Sequence, residues 1–168
     1  MTTIGALPDA DGVHDATLLL YHLVHRDDRV KALAEAARVT RPGGRVIAAA
    51  ISRFAGPLDF AATGRLDQRM ADEARTLLTD GRNDPRIGFT HAYFHRADEL
   101  AGECAAACLR DVTVHGVEGP AWTAAEAAAN GPLADTVYAG ALQLARVYSA
   151  EPALIAASAH LLATGLVM

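Results

Sequence analysis

Lysine occurs once in the 168 residues, at Lys31, and the formal charge is -5 with an isoelectric point near 5.7. That leaves no basic field to gather phosphates, so nucleic-acid binding is disfavoured. An apolar run of the ~18 residues needed to span a bilayer is also missing. The opening stretch MTTIGALPDADG lacks the charged-then-apolar order of a secretory signal. No membrane partner is expected, and the chain reads as cytoplasmic. Cysteine is as scarce: Cys104 and Cys108 stand one helical turn apart, which excludes a disulfide framework and predicts two reduced, packed thiols. No internal repeat or low-complexity linker divides the chain. What is present is length enough for one domain and an apolar content of 51%, enough to build a core.

The pattern alternates. DATLLLY (residues 15 to 21) suits a strand buried on both faces. Asp27 and Asp28 can cap a helix whose inner face carries Val30, Leu33, Ala34 and Ala37, with Lys31 and Glu35 paired on the wet side and Pro42-Gly43 as its stop. Residues 44 to 52 give a second buried strand. A helix over 67 to 78 turns Met70, Ala74, Leu77 and Leu78 inward and closes at Gly81. Asp98 and Glu99 favour the first turn of the next helix, with Leu100, Cys104, Ala107 and Cys108 facing in. DVTVHGVEG alternates as a strand, Gly116 marking a bulge. After the EGPAW corner, Val137, Ala141, Leu144 and Tyr148 mark a long helix, and HLLATGLV a closing strand. The whole is α/β with an at least partly parallel sheet.

Taken in order, DATLLLYHL, ALAEAARVTRPGGRVIAAAISRF, THAYFHRADEL, GVEGPAW and SAHLLATG resemble the C-terminal half of class I S-adenosylmethionine-dependent methyltransferases. The resemblance covers nearly all of residues 15 to 165. It implies a partial Rossmann-like methyltransferase sheet built from the family's strands 4, 5, 6 and 7, within the family's order 3-2-1-4-5-7-6, with flanking helices. Three departures stand out. The family grips its cofactor through a glycine-rich turn after its first strand and an acidic residue ending its second; no G-x-G pattern occurs here, and the lone doublet Gly43-Gly44 follows a helix. Thr3 falls where many relatives carry an acid near the adenine amine, and LLLYHL is three residues shorter than the family's LLLGPLYHL.

The chain is therefore expected to be one N-terminally truncated domain, residues 1–168, with 54–88 forming a helical lid or a dimer arm. No cofactor is expected to bind this chain alone, although S-adenosylmethionine serves the resembled family. Without the family's first three strands, residues 16 to 21 become an apolar sheet edge, which predicts a homodimer or a complementary methyltransferase subunit as partner.

The resemblance sets the acceptor pocket at the C-terminal edge of the sheet. Tyr21 and His22 would face a small-molecule substrate there, His22 as general base, unless both only cap the shortened loop. Arg53 would hold a carboxylate or phenolate, or be a solvated loop arginine. His91, Tyr93 and His95 alternate in THAYFHR and would form a substrate wall; nothing completes a metal set around them. Glu118 and Trp122 would place a carboxylate and an aromatic wall over the pocket, or anchor a loop through a buried indole. His160, opening the last strand, has an equal claim to a structural role.

Catalysis would fall to His22, His91 and Glu118, and substrate contacts to Tyr21, Arg53, Tyr93, His95 and Trp122. The function expected is a methyltransferase-like protein acting on a small organic molecule without tight S-adenosylmethionine binding, by cofactor-free cyclisation or isomerisation. The alternatives are a methyltransferase whose cofactor site is rebuilt by oligomerisation or lost by truncation, and a non-catalytic partner of a full-length methyltransferase.

Overall fold

The computed structural model describes residues 6–20, 22–87 and 89–168. Thr3 and Tyr21 lie outside the described residues. In chain order the elements are β1 (His14–Leu20), α1 (Arg26–Val39), β2 (Thr40–Ile51), α2 (Ala55–Ala62), α3 (Gln68–Asp80), β3 (Arg82–Asn83), β4 (Ala92–Tyr93), α4 (Ala97–Ala106), β5 (Arg110–Gly116), α5 (Trp122–Ala128), α6 (Ala134–Tyr148) and β6 (His160–Leu166).

The main sheet has the order β1-β2-β6-β5. β1 runs parallel to β2, and β6 lies antiparallel between β2 and β5. This is the 4-5-7-6 part of the expected order, and the fold is α/β with a mixed sheet. Because β6 runs backwards, its first residue, His160, pairs with Ile51 at the end of β2, while Gly116 at the end of β5 pairs with Leu161. The C-terminal ends of β1, β2 and β5 and the N-terminal end of β6 therefore share one edge, where ligands of open α/β sheets bind.

Burial explains the inner strands, whereas β1, expected to be buried on both faces, is largely exposed as the sheet's edge. β2 sends Val46, Ala48 and Ala50 into a core shared with Leu161 and Ala163 of β6, Leu33 of α1 and Leu100 of α4, so it needs no polar alternation. A second cluster of Ile51, Ala55, Leu77, Ala92 and Phe94 ties the segment expected as a lid or arm to the functional edge of the sheet. α3 begins as the sequence indicates: the Asp67 carboxylate accepts from the Met70 N–H at 2.8 Å, and Gly81 closes the helix with φ 74°.

Several expectations are corrected. α1 is turned by about one residue, burying Arg29, Ala32, Leu33, Ala36 and Val39 while Ala34 is exposed, because Arg29 has a buried anion to meet. It ends at Val39, since Thr40 already pairs with His14; Pro42-Gly43 belong to the start of β2. Glu35 bonds Arg38 instead of Lys31. α4 ends at Ala106, so Cys108 lies past the helix at φ 64° and is exposed, while Cys104 is packed and burial pushes its thiol up to about 11. The irregularity in β5 falls between Arg110 and Thr113, where Asp111 has φ 50°. Gly116 is instead pressed against Ser158 and Ile155. The corner after β5 contains a helix, α5, beyond the elements expected from the sequence pattern.

Candidate active site

The loop from Val117 to Ala121 brings the last residue groups of β5 over the first residue of β6. Glu118 reaches across this gap to His160. Its Oε2 accepts the His160 backbone N–H at 2.9 Å, and its Oε1 lies 2.5 Å from His160 Nδ1. The His160 carbonyl accepts from the Val117 N–H at 3.1 Å, and Ile51 flanks it across the sheet. The imidazole thus stands on a rigid strand end with both main-chain groups engaged.

A carboxylate on Nδ1 selects the tautomer that carries its proton there, leaving the Nε2 lone pair as the acceptor. Nε2 has no protein partner among the described residues. The electrostatics agree in sign. The Glu118 hydrogen bond raises the His160 pKa above its ordinary 6.5 against the opposing effect of burial. Burial acts to raise the Glu118 carboxyl, but the bonds from the His160 ring and backbone outweigh it and hold the carboxyl below its ordinary 4.5.

His160 lines two cavities. The larger, about 490 Å³, lies between the β5–β6 end and helices α5 and α6, against Val117, Trp122, Ala125, Tyr138, Ala141 and Ala145. The second, about 310 Å³, runs toward α2, against Ile51, Phe60, Asn83, Phe89 and Phe94. Trp122 is shared by both. Its indole is 9% exposed, and Nε1 donates to the Ala157 carbonyl at 2.9 Å, so it is at once a loop anchor and a pocket wall. The loop holds its shape through Gly119. That residue has φ 71°, a Cβ on it would come within 2.7 Å of Ala145 Cα, and its N–H donates to Ser158 Oγ at 2.9 Å.

Glu118 and Trp122 are therefore brought together on one site, with His160 as a third member. The other nominated residues lie elsewhere. His22 is exposed and stands edge-on to Phe89 at a centroid distance of 5.3 Å, beside the second cavity rather than in its wall. His91 is exposed in a separate recess with Asp84 and Arg86.

Arg53, Tyr93 and His95 line neither of the two cavities at His160; they belong to an ion network in the interior. Arg29 donates through Nη2 and Nε to Glu103 Oε1 at 2.6 and 2.9 Å, with both side chains at most 3% exposed. His95 Nε2 lies 3.2 Å from Glu103 Oε2. Arg29 stacks on the Tyr93 ring at 3.7 Å, and Arg53 bonds the Tyr93 hydroxyl at 2.7 Å and Glu99 at 2.6 Å. The reason is electrostatic: a guanidinium 3% exposed has to satisfy its donors inside, and here carboxylates and an aromatic face do so. Burial also raises the Tyr93 phenol, with Glu99 adding to the effect.

Among the described residues, the turns at the functional edge carry no glycine-rich cradle. The connection from β1 to α1 has no glycine, and that from β2 to α2 is Ser52-Arg53-Phe54, with Ser52 and Arg53 buried and bonded. Gly119 does follow a strand and precede a helix, but its N–H and its open side are already taken by Ser158 and Ala145. No backbone cradle for a cofactor is left at these turns.

Comparison with known proteins agrees with this architecture. A family model described as "Methyltransferase domain" matches residues 2–48. A solved S-adenosylmethionine-dependent methyltransferase from Thermotoga maritima, described as a possible histamine N-methyltransferase, aligns over 96% of this chain and 60% of its own at 17% identity, with a TM-score of 0.53. The [4+2]-cyclase SpnF aligns over 98% of this chain and 55% of its own at 17% identity, with a TM-score of 0.43. A methyltransferase from Methanosarcina mazei gives 17% identity over 67% of this chain and 55% of its own, with a TM-score of 0.43. No curated protein matches the chain. The fold is class I methyltransferase-like, and the chain spans about three fifths of the Thermotoga protein.

Proposed function

We propose that the chain is the acceptor-binding part of a methyltransferase-like enzyme, in which His160, held by Glu118, takes a proton from a small organic molecule. The observation that carries the reading is the Glu118–His160 pair at the sheet edge, with Nδ1 tied to the carboxylate and the histidine lining two adjoining cavities. When Nε2 accepts the proton, the imidazolium that forms is stabilised by the carboxylate on its other side. The apolar walls hold the substrate against the ring. A proton removed at one carbon and returned at another gives an isomerisation, or accompanies a ring closure, with no gain or loss of atoms.

This role requires a neutral imidazole, so activity should rise with pH through a value above 6.5. The charged groups around the ring are Glu118 on its own loop, Glu126 of α5, and Asp59 and Arg65 beside α2. NMR titration of the His160 ring should show its raised pKa, and Glu118→Gln should move it down toward 6.5. A pKa at or below 6.5 in the native protein, or one that ignores the Glu118 substitution, would defeat the reading. The pair should also favour the fold most between the ordinary values of 4.5 and 6.5. The histidine contribution fades as pH rises through its folded pKa, and the carboxylate contribution fades as pH falls through its own.

Calorimetry of the 168-residue chain with S-adenosylmethionine should show no saturable heat. Micromolar binding would mean that association between copies builds a cofactor site, and methyl transfer would then replace the cofactor-free step.

A further inference from the structure

The residues that line the larger cavity fall into two kinds. Alanines on α5 and α6, among them Ala125, Ala141 and Ala145, keep the helices' facing surfaces small and leave a slot of about 490 Å³ between them. That volume is in the range of pockets that take small organic ligands. The ionisable groups in its wall are the carboxylates of Glu118 and Glu126 and the His160 ring bonded to Glu118, and the aromatic faces are Trp122 and Tyr138; no arginine or lysine lines it. In the second cavity Arg65 is present, but it is ion-paired with Asp59.

With the His160 ring neutral, an anion entering this site would lose its hydration beside two carboxylates with no unengaged cation to meet it. An ammonium would meet both the carboxylates and the negative faces of the indole and phenol rings. An uncharged alcohol would gain the apolar contacts alone. We infer that the molecule taken by this site is a lipophilic amine, its hydrocarbon part in the slot between α5 and α6 and its ammonium group toward Glu126 and the His160 ring. The inference rests on the general-base reading above for its chemistry, and on the cavity wall alone for its selectivity.

The test is binding of a matched series, n-octylamine, n-octanol and octanoate, to the intact chain at about pH 9, well above the ordinary imidazole value and below that of an alkylamine. Trp122 is the sole tryptophan and lines both cavities, so its fluorescence reports occupancy directly, with calorimetry as the second readout. The amine should bind tightest and octanoate at least tenfold more weakly. Glu126→Gln, a change at an exposed position, should narrow the gap between amine and alcohol. Octanoate binding as tightly as the amine, the alcohol binding more tightly than the amine, or no binding by any of the three would each overturn the inference. The general-base reading fails separately: amine selectivity with an unperturbed His160 titration would sink the base and keep the ligand class. A raised His160 pKa with octanoate preferred would do the reverse.

Discussion

Alanine in place of Glu103 is expected to lower the unfolding free energy by about 3–5 kcal/mol, read from urea denaturation at pH 7. Glu103 is 2% exposed and is the anion that Arg29 and His95 share. Removing it leaves the Arg29 guanidinium buried at 3% exposure with Val24 O and the Tyr93 ring as its remaining recorded contacts. Those neutral groups cannot replace a carboxylate at short range. A domain of this kind is stable by only about 5–15 kcal/mol, so the variant should approach the edge of folding. The double variant Arg29→Met, Glu103→Leu should recover most of the loss, because the cost lies in the orphaned charge more than in the missing pair. A loss below about 1 kcal/mol for Glu103→Ala would mean that water reaches the pair and that the network contributes no more than a surface ion pair does. Acid should act in the same direction: burial alone would raise the Glu103 carboxyl, but His95 and Arg29 hold it below 4.5, so its contribution is lost as pH falls through that lowered value.

The same network marks the limit of what the sequence discloses. The alternation of strands and helices and the start of α3 follow from local patterns, because they depend on residues a few positions apart. The facing of α1 does not. An apolar count places Val30 and Ala34 inward, whereas the helix is turned by Arg29, whose partner lies 74 residues away. Tyr93 and His95 do lie together, with rings 4.9 Å apart, but toward the interior, where Arg29 waits. A periodic pattern says which side chains share a face and is silent on whether that face meets a ligand or another helix. His160 shows the converse. As the first residue of an antiparallel closing strand it is bound to fall on the functional edge, and that topological signal was available. Its carboxylate partner, 42 residues upstream, was nominated on other grounds. The resemblance to methyltransferases supplied the order of the sheet, and the cavity between α5 and α6 depended on a helix that an alanine-rich stretch does not announce.

In solution the chain is expected to have the mass of a dimer, measured by light scattering, with β1 as the seam. β1 is an edge strand of the main sheet, and its outward row of Ala16, Leu18 and Leu20 is exposed, the two leucines at 61% and 70%. An open edge with leucines on it is a template for another strand. When the solution holds only this chain, that strand is a second copy. We infer an antiparallel pairing about a two-fold axis at Thr17, which sets Ala16 opposite Leu18 and Leu20 opposite His14 in both halves. Thr17 itself turns the other way, its hydroxyl 2.6 Å from that of Thr40, so no polar side chain stands at the centre of the outward row. Parallel pairing of the copies would not close on itself, and a two-fold arrangement does. Leu18→Lys with Leu20→Lys should leave the core untouched, because neither side chain packs in it, and should return the mass to that of a monomer. A monomeric wild-type chain at about 100 μM would remove the second copy from this edge. The partner would then be sought among polypeptides that supply further strands to a methyltransferase-like sheet, since this chain spans 60% of the Thermotoga protein. A dimer indifferent to both lysines would move the interface to another exposed apolar surface, that of Tyr138 and Leu142 on α6, and would put the second copy at the mouth of the cavity.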